Sequence, residues 1–151
     1  MSFTKEQNQA ITSRERNLLV SASAGSGKTT VMIERILSLI EEGASLENMV
    51  VCTFTRSAAA DMRDKLQNAL LRRVGDGTEF SAVAERELTL LPTAEISTLH
   101  SWCQRLIRNY FYVVGADPAF EIADEEEASA MLAEAIDEAV EQRITSADDD
   151  F

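Results

Sequence analysis

Ala22-Ser23-Ala24-Gly25-Ser26-Gly27-Lys28-Thr29 follows the apolar run Leu18-Leu19-Val20 and leads into Val31-Met32-Ile33 and Ile36-Leu37. Strand, small-residue loop, Lys-Thr and helix in that order form the P-loop arrangement, which predicts a nucleoside triphosphate site. Small residues let the backbone bend so that successive N–H groups converge on phosphate oxygens. A helix starting near Lys28 adds the positive end of its dipole. Lys28 supplies a point charge for the terminal phosphates, and the Thr29 hydroxyl is placed to ligate Mg²⁺. The strict pattern begins with Gly where this chain has Ala22, a small side chain that fits if φ stays negative there. The competing reading is an ordinary Gly/Ser turn capping a helix; the flanking apolar run and periodic stretch favour the phosphate site.

The chain has 151 residues, 45% hydrophobic and 26% charged, the profile of one soluble domain able to bury a core. No apolar run approaches a membrane span and no basic-then-apolar leader opens the chain, so no membrane association and a cytoplasmic location are expected. Cys52 and Cys103 have no Cys or His nearby in a ligand spacing and read as buried free thiols. The net charge of −12 is unevenly spread. Residues 1–120 carry 13 basic and 14 acidic side chains, whereas 121–151 carry one basic residue, Arg143, and 12 acidic ones. The first 120 residues therefore remain free to present a basic surface to nucleic acid.

Working outward from the loop, Thr4–Ser13 reads as a short helix, with Thr4 and Gln7 at capping-box spacing. Asn17–Ala22 reads as the first strand, and Lys28–Glu42 as a helix ended by Gly43. Met49–Phe54 reads as a fully buried strand. Ala58, Met62, Leu66 and Leu70 recur every four residues, predicting a one-sided helix over Ser57–Arg73. A turn at Gly75–Thr78, a weak helix over Ser81–Leu91 and a short strand at Glu95–Thr98 follow. Leu99–Val114 has the spacing of a helix buried on one face, and Glu125–Arg143 that of a last, acidic amphipathic helix. The expected fold class is α/β: a partial parallel sheet of about three strands flanked by helices. Three strands are too few for a complete nucleotide-binding domain, and Ser146–Phe151 reads as an arbitrary end.

Two polar segments stand at strand-to-helix junctions, the edge where open parallel sheets bind ligands. The first, Thr53–Arg63, offers hydroxyls, helix-start N–H groups, Arg56 and an aromatic, Phe54. Phe54 either stacks on a base or packs in the core, and burial is the commoner fate of an aromatic side chain. The second, Ser97-Thr98-Leu99-His100-Ser101-Trp102, carries the chain's only histidine. With no carboxylate or nucleophile partner in sequence, His100 reads as a hydrogen-bonding contact or a structural histidine. Gln7 offers the donor and acceptor that an adenine edge requires, or serves only as a cap. Asp124-Glu125-Glu126-Glu127 lacks the continuous apolar strand that an acidic metal-binding pair needs, and reads as the first turn of a helix.

Together these segments resemble superfamily 1A DNA helicases of the UvrD type, and within them the A subunits of AddAB helicase–nucleases. Phe3-Thr4-Lys5-Glu6-Gln7 looks like the Q motif, Ala22–Thr29 like Walker A, Thr53–Arg63 like motif Ia, and Ile96–Cys103 like motif Ib. Asp117–Glu125 is similar to the segment opening the next subdomain. Departures are small: Asp61 and Lys65 stand where Glu and Arg are more usual, and Trp102 where Phe is common.

The resemblance implies a P-loop NTPase (RecA-like) fold, with residues 1–115 the N-terminal part of the ATP-binding domain and 116–151 the start of a helical insertion. It implies ATP and Mg²⁺ held by Gln7, Ala22, Ser23, Ala24, Gly25, Ser26, Gly27, Lys28, Thr29 and Thr30. Within that set Lys28 and Thr29 are the catalytic pair, and Thr29 is the metal ligand. It places Phe54, Thr55, Arg56, His100 and Ser101 on a single-stranded DNA track. In the intact protein it implies ATP-driven 3′ to 5′ unwinding and end degradation in double-strand break repair, with an AddB-like partner. The family's Walker B pair, arginine fingers, second RecA-like domain and nuclease have no counterpart in these residues. The chain alone is therefore expected to lack DNA-stimulated ATPase and unwinding. The alternative is a stand-alone P-loop module that binds nucleotide without motor activity; a small P-loop kinase lacks a lid or acceptor site to support it.

Overall fold

The computed structural model describes residues 3–14, 17–23, 25–117 and 119–147. Ala24, one of the expected phosphate-loop residues, lies outside the described residues, as do Pro118 and the terminal stretch from Asp148 to Phe151. Two compact units divide the chain, Met1–Leu106 and Ile107–Phe151.

In the first unit, helix α1 (Lys5–Thr12) opens with a reciprocal cap. The Thr4 hydroxyl accepts from the Gln7 N–H at 3.2 Å, and the Gln7 side-chain oxygen accepts from the Thr4 N–H at 2.9 Å. Helix α2 (Lys28–Glu41) buries Ile33, Ile36, Leu37 and Ile40, the three-and-four spacing of a one-sided helix. It ends at Gly43, whose φ of +98° is open to glycine but strained for other residues. That conformation lets the N–H groups of Gly43 and Ala44 reach the carbonyls of Ile40 and Leu39, each at 3.0 Å.

A 3-10 turn (Leu46–Asn48) leads to strand β1 (Val50–Thr53), followed by helix α3 (Arg56–Gly75) and helix α4 (Phe80–Leu90). A second 3-10 turn (Leu91–Thr93) carries Pro92 and leads into strand β2 (Glu95–Thr98) and helix α5 (Leu99–Asn109). β1 and β2 pair in parallel, with Thr53 opposite Thr98. Helix α3 packs on both strands and on α4, while α1 packs on α2. Leu37, Ile40, Leu46, Leu66 and Leu70 are the fully buried centre, each stabilising the fold by about 1.5–3 kcal/mol.

One acid sits inside that core. Glu87 on α4 is 1% exposed and accepts from the Leu46 N–H at 2.8 Å and the Ser45 hydroxyl at 3.3 Å. It thereby satisfies a helix-start N–H that the apolar surroundings would otherwise strand.

The fold is mixed α/β and mostly helical, with two strands among the described residues rather than three. Asn17–Ala22, expected as a strand, forms no regular element, and Leu19 is 95% exposed. An apolar run becomes a strand only by hydrogen-bonding to a neighbour, and no described residue pairs with it. For the same reason β1 is not fully buried. Val51 is covered, but Val50 and Cys52 are exposed because one face of the pair meets helices and the other meets no described element. Cys103 is half-buried, so neither thiol is in the core. In α3 the buried set begins at Ala59 rather than Ala58.

The expected helix over Leu99–Val114 is broken at Tyr110 into α5 and a short α6 (Phe111–Val114), and no residue of α5 is buried. In the second unit α7 (Glu125–Ala147) is capped by Asp124, whose side chain accepts from the N–H groups of Glu126 and Glu127 at 3.0 and 2.9 Å. The acidic run is thus the first turn of that helix, favoured by its dipole. Its apolar residues, Met131, Leu132, Ile136 and Val140 among them, are exposed. No described helix is long and apolar enough to cross a membrane.

Candidate functional site

The glycine-rich loop owes its path to two left-handed glycines, Gly25 at φ +75° and Gly27 at φ +76°. Gly27 is also the residue from which α2 starts, and no side chain caps that start. The first N–H groups of a helix have no intrahelical partner, so an uncapped, exposed α2 start offers convergent donors to an anion. The Lys28 ammonium folds back over the loop, donating to the carbonyls of Ala22 at 3.2 Å and Ser23 at 2.7 Å. Thr29, one residue on, is half-buried, and its hydroxyl has no protein partner among the described residues. Thr30 is exposed. The Ser26 hydroxyl is buried with no hydrogen-bond partner among the described residues. A buried, orphaned hydroxyl in such a loop is an unmet demand for a polar ligand.

Gln7 reaches this loop from α1. Its side-chain nitrogen donates to the Ser26 carbonyl at 3.1 Å, while its oxygen serves the helix cap. Gln7 is therefore a helix cap, and it also contacts the loop. Ala22, Ser23, Ser26, Lys28 and Gln7 line one cleft of about 880 Å³, with Val31, Met32 and Arg35 on its α2 wall. At its rim the Glu6 carboxyl is held below the usual carboxylate range, first by its own backbone N–H and then by the Thr4 hydroxyl.

The parallel register brings the second set of residues together. With Thr53 opposite Thr98, the segments leaving β1 and β2 depart side by side. Phe54 follows Thr53 and is 103% exposed, which removes the core alternative for its ring. Thr55 caps α3, accepting from the Ala58 N–H at 3.1 Å, and its hydroxyl meets that of Ser57 at 3.1 Å. Thr98 caps α5 in the same way, accepting from the Ser101 N–H at 3.2 Å and donating to the Ser101 hydroxyl at 2.8 Å. His100 is exposed on the first turn of α5.

A smaller cleft of about 240 Å³ lies between α3 and β2, lined by Arg56, Arg63, Ser97, Ser101 and Arg105 among others. Arg63 ties α3 to the strand through the carbonyls of Ala94 and Ile96 at 3.3 and 3.1 Å. Arg105 donates to Ser97 at 2.9 Å and pairs with Glu95. Arg56 has no ion pair among the described residues.

Sequence reasoning missed Arg35, Arg63 and Glu87. Arg35 had a visible signal: Lys28, Met32 and Arg35 fall on one side of α2, so a second cation stands two turns along the helix from Lys28 on the same side. Glu87 had none, since an acid among surface-like helical residues looks solvated until its neighbours are known. Among the described residues no group of three or more His, Cys, Asp or Glu is arranged to hold a metal.

Residues 3–150 match the family model described as the UvrD/REP helicase N-terminal domain. The chain is 41% identical, over 140 residues and 93% of its length, to the A subunit of the ATP-dependent helicase/nuclease of Heliobacterium modesticaldum, covering 10% of that protein. It is 38% identical over 99% of its length to the protein of the same name from Alkaliphilus metalliredigens, covering 13% of it. To the Acetivibrio thermocellus protein of the same name it is 42% identical over 99% of its length, covering 12% of it. The chain thus spans about a tenth of the length of the curated relatives it matches.

Proposed function

This chain belongs to the family of UvrD/REP helicase N-terminal domains, and from that premise we propose that it is the ATP-binding portion of one subunit of an ATP-dependent DNA helicase/nuclease. The observation that carries the reading is the convergence on one loop of the Gln7 amide, the Lys28 ammonium, the uncapped start of α2 and the orphaned Ser26 hydroxyl.

In this reading the loop is a P-loop on a RecA-like domain covering 1–115, and residues 116–151 begin a helical insertion. Gln7 meets the adenine edge. The N–H groups from Gly25 to Thr29 cradle the phosphates, joined by the Ser26 hydroxyl, while Ala22, Ser23 and Thr30 border them. Lys28 exchanges its loop carbonyls for the terminal phosphates, a charge-assisted contact roughly twice as strong as a neutral one. Thr29, whose hydroxyl has no other partner among the described residues, would offer that hydroxyl to Mg²⁺, an ion that needs few protein ligands. Bound there, the ion would neutralise charge on the terminal phosphates.

The paired strand ends then form a single-stranded DNA track. Phe54 offers a ring for base stacking, while Thr55, Arg56, His100 and Ser101 address the backbone. The whole protein, acting in double-strand break repair, would join this module to an AddB-like partner in the cytoplasm. Amide hydrogen exchange in the presence of Mg²⁺ and ATP tests the assignment. Slowed exchange in both the Gly25–Thr29 segment and α1 is expected; protection confined to other segments overturns it.

A further inference from the structure

We infer that Arg35 is a positioning residue for nucleobase selection: it anchors α1 so that Gln7 presents its amide in one orientation, and so sets the preference for adenine over guanine. The inference rests on the ATP-binding reading above and adds a determinant to it.

The chain of contacts begins at the far end of α1. The last carbonyls of a helix lack intrahelical partners, and in α1 two arginines take them. One Arg35 nitrogen donates to the Ala10 carbonyl at 2.6 Å and to the Ser13 carbonyl at 2.8 Å. Arg14 takes the Ile11 carbonyl at 2.8 Å and also Ser13 at 3.1 Å. A cation at this end is further favoured by the helix dipole. Ala10 lies three residues after Gln7, less than one helical turn, so the carbonyl that Arg35 grips is rigidly connected to the residue that touches the loop.

The orientation of Gln7 is what this anchoring protects. Its oxygen is held by the Thr4 N–H and its nitrogen by the Ser26 carbonyl. A flipped amide would set N–H against N–H at Thr4 and oxygen against oxygen at Ser26. One N–H and one oxygen lone pair remain for a ligand. They complement adenine, which presents the N7 acceptor beside the N6 donor. Guanine presents two acceptors, O6 and N7, so its O6 would face the Gln7 oxygen. A locked amide holds its oxygen against guanine O6 and rejects it; a mobile one can swing that oxygen away and offer the two hydrogens of its nitrogen to O6 and N7. Arg35 on α2 and Gln7 on α1 also border the same cleft, so the anchor and the selector face one cavity.

The test is equilibrium binding of ribose-labelled fluorescent ATP and GTP, with Mg²⁺, to the 151-residue chain and its Arg35→Met, Arg35→Lys and Gln7→Ala variants. Wild type is expected to prefer ATP. Arg35→Met is expected to reduce the ATP/GTP ratio about tenfold, a change of about 1.4 kcal/mol, chiefly by tightening GTP relative to ATP. Arg35→Lys, which keeps a donor for the carbonyls, is expected to retain part of the ratio, and it carries the test if the Met variant does not fold. In a Gln7→Ala background Arg35→Met should leave the ratio unchanged, because its effect passes through Gln7. Parallel loss of both nucleotides with the ratio intact overturns the positioning role, as does a ratio change that persists without Gln7. Wild type that binds neither nucleotide, or binding untouched by Lys28→Ala, overturns the ATP reading itself and this inference with it.

Discussion

Thr53 and Thr98 are partners across the parallel pair, each the last residue of its strand, so the two polar junctions of the chain leave the sheet side by side. Residues distant in sequence thereby share one edge. The arrangement places the exposed Phe54 ring and the exposed His100 on neighbouring segments.

Phe54→Ala is expected to weaken binding of a single-stranded oligothymidine by about 1–3 kcal/mol, the value of one base–aromatic stack, without lowering the melting temperature. A core phenylalanine would instead cost stability; a fully exposed ring has no packing to lose. Fluorescence anisotropy and thermal melts of the same sample separate the two effects. Arg56→Ala should reduce the salt dependence of binding by about one phosphate contact.

Gly27→Ala is expected to cost about 1–2 kcal/mol through backbone strain alone, because φ is +76° there. A Cβ at this position would sit 3.7 Å from the Gln7 side-chain nitrogen, an ordinary contact, so steric clash adds nothing. Urea unfolding measures the strain. ATP binding should fall further than stability does, because relaxing φ rotates the N–H groups away from the phosphates.

Glu87→Leu is expected to destabilise the first unit by about 1–3 kcal/mol, since it strands the buried Leu46 N–H. Glu87→Gln keeps an oxygen that can accept from Leu46 and should cost less. Chemical denaturation of the two variants gives the comparison directly.

Arg14 and Glu42 tie the end of α1 to α2 through two nitrogens, at 2.7 and 2.6 Å. The Arg14 hydrogen bond, and secondarily its charge, holds the Glu42 carboxyl below its ordinary value, and Arg14 is raised correspondingly. A depressed carboxylate stabilises the fold above the unfolded value of about 4.5 and loses that contribution as pH falls through the folded one. Glu42→Gln should therefore melt below wild type near neutral pH, and the two melting temperatures should converge in acid. A gap that persists in acid contradicts this assignment.

Local signals made much of this architecture legible. The Thr4–Gln7 spacing predicted a cap that forms in both directions, and Gly43 ended α2 as a left-handed residue should. Glu95–Thr98 is a strand over the residues where its pattern placed it. What failed depends on partners far away in sequence. Leu18, Leu19 and Val20 have strand composition, but no described neighbour pairs with them. The periodicity of Leu99–Val114 predicted a buried face, yet periodicity reports which side is apolar and not whether anything covers it. The site divides in the same way. The glycine-rich loop was readable from residue type and spacing, and Gln7 and Phe54 only as open alternatives, whereas the Arg35 anchor required knowing that α1 ends against α2.

If Gly25–Thr29 grips a nucleoside triphosphate as proposed, the Lys28 ammonium carries much of that grip. Titration calorimetry of Mg²⁺ and ATP into wild type and Lys28→Ala tests it most directly. Wild type is expected to bind one ATP, and Lys28→Ala to lose at least about tenfold in affinity, the effect of removing a charge-assisted phosphate contact worth about 1.5–3 kcal/mol. Equal affinity of the two proteins for ATP would contradict it.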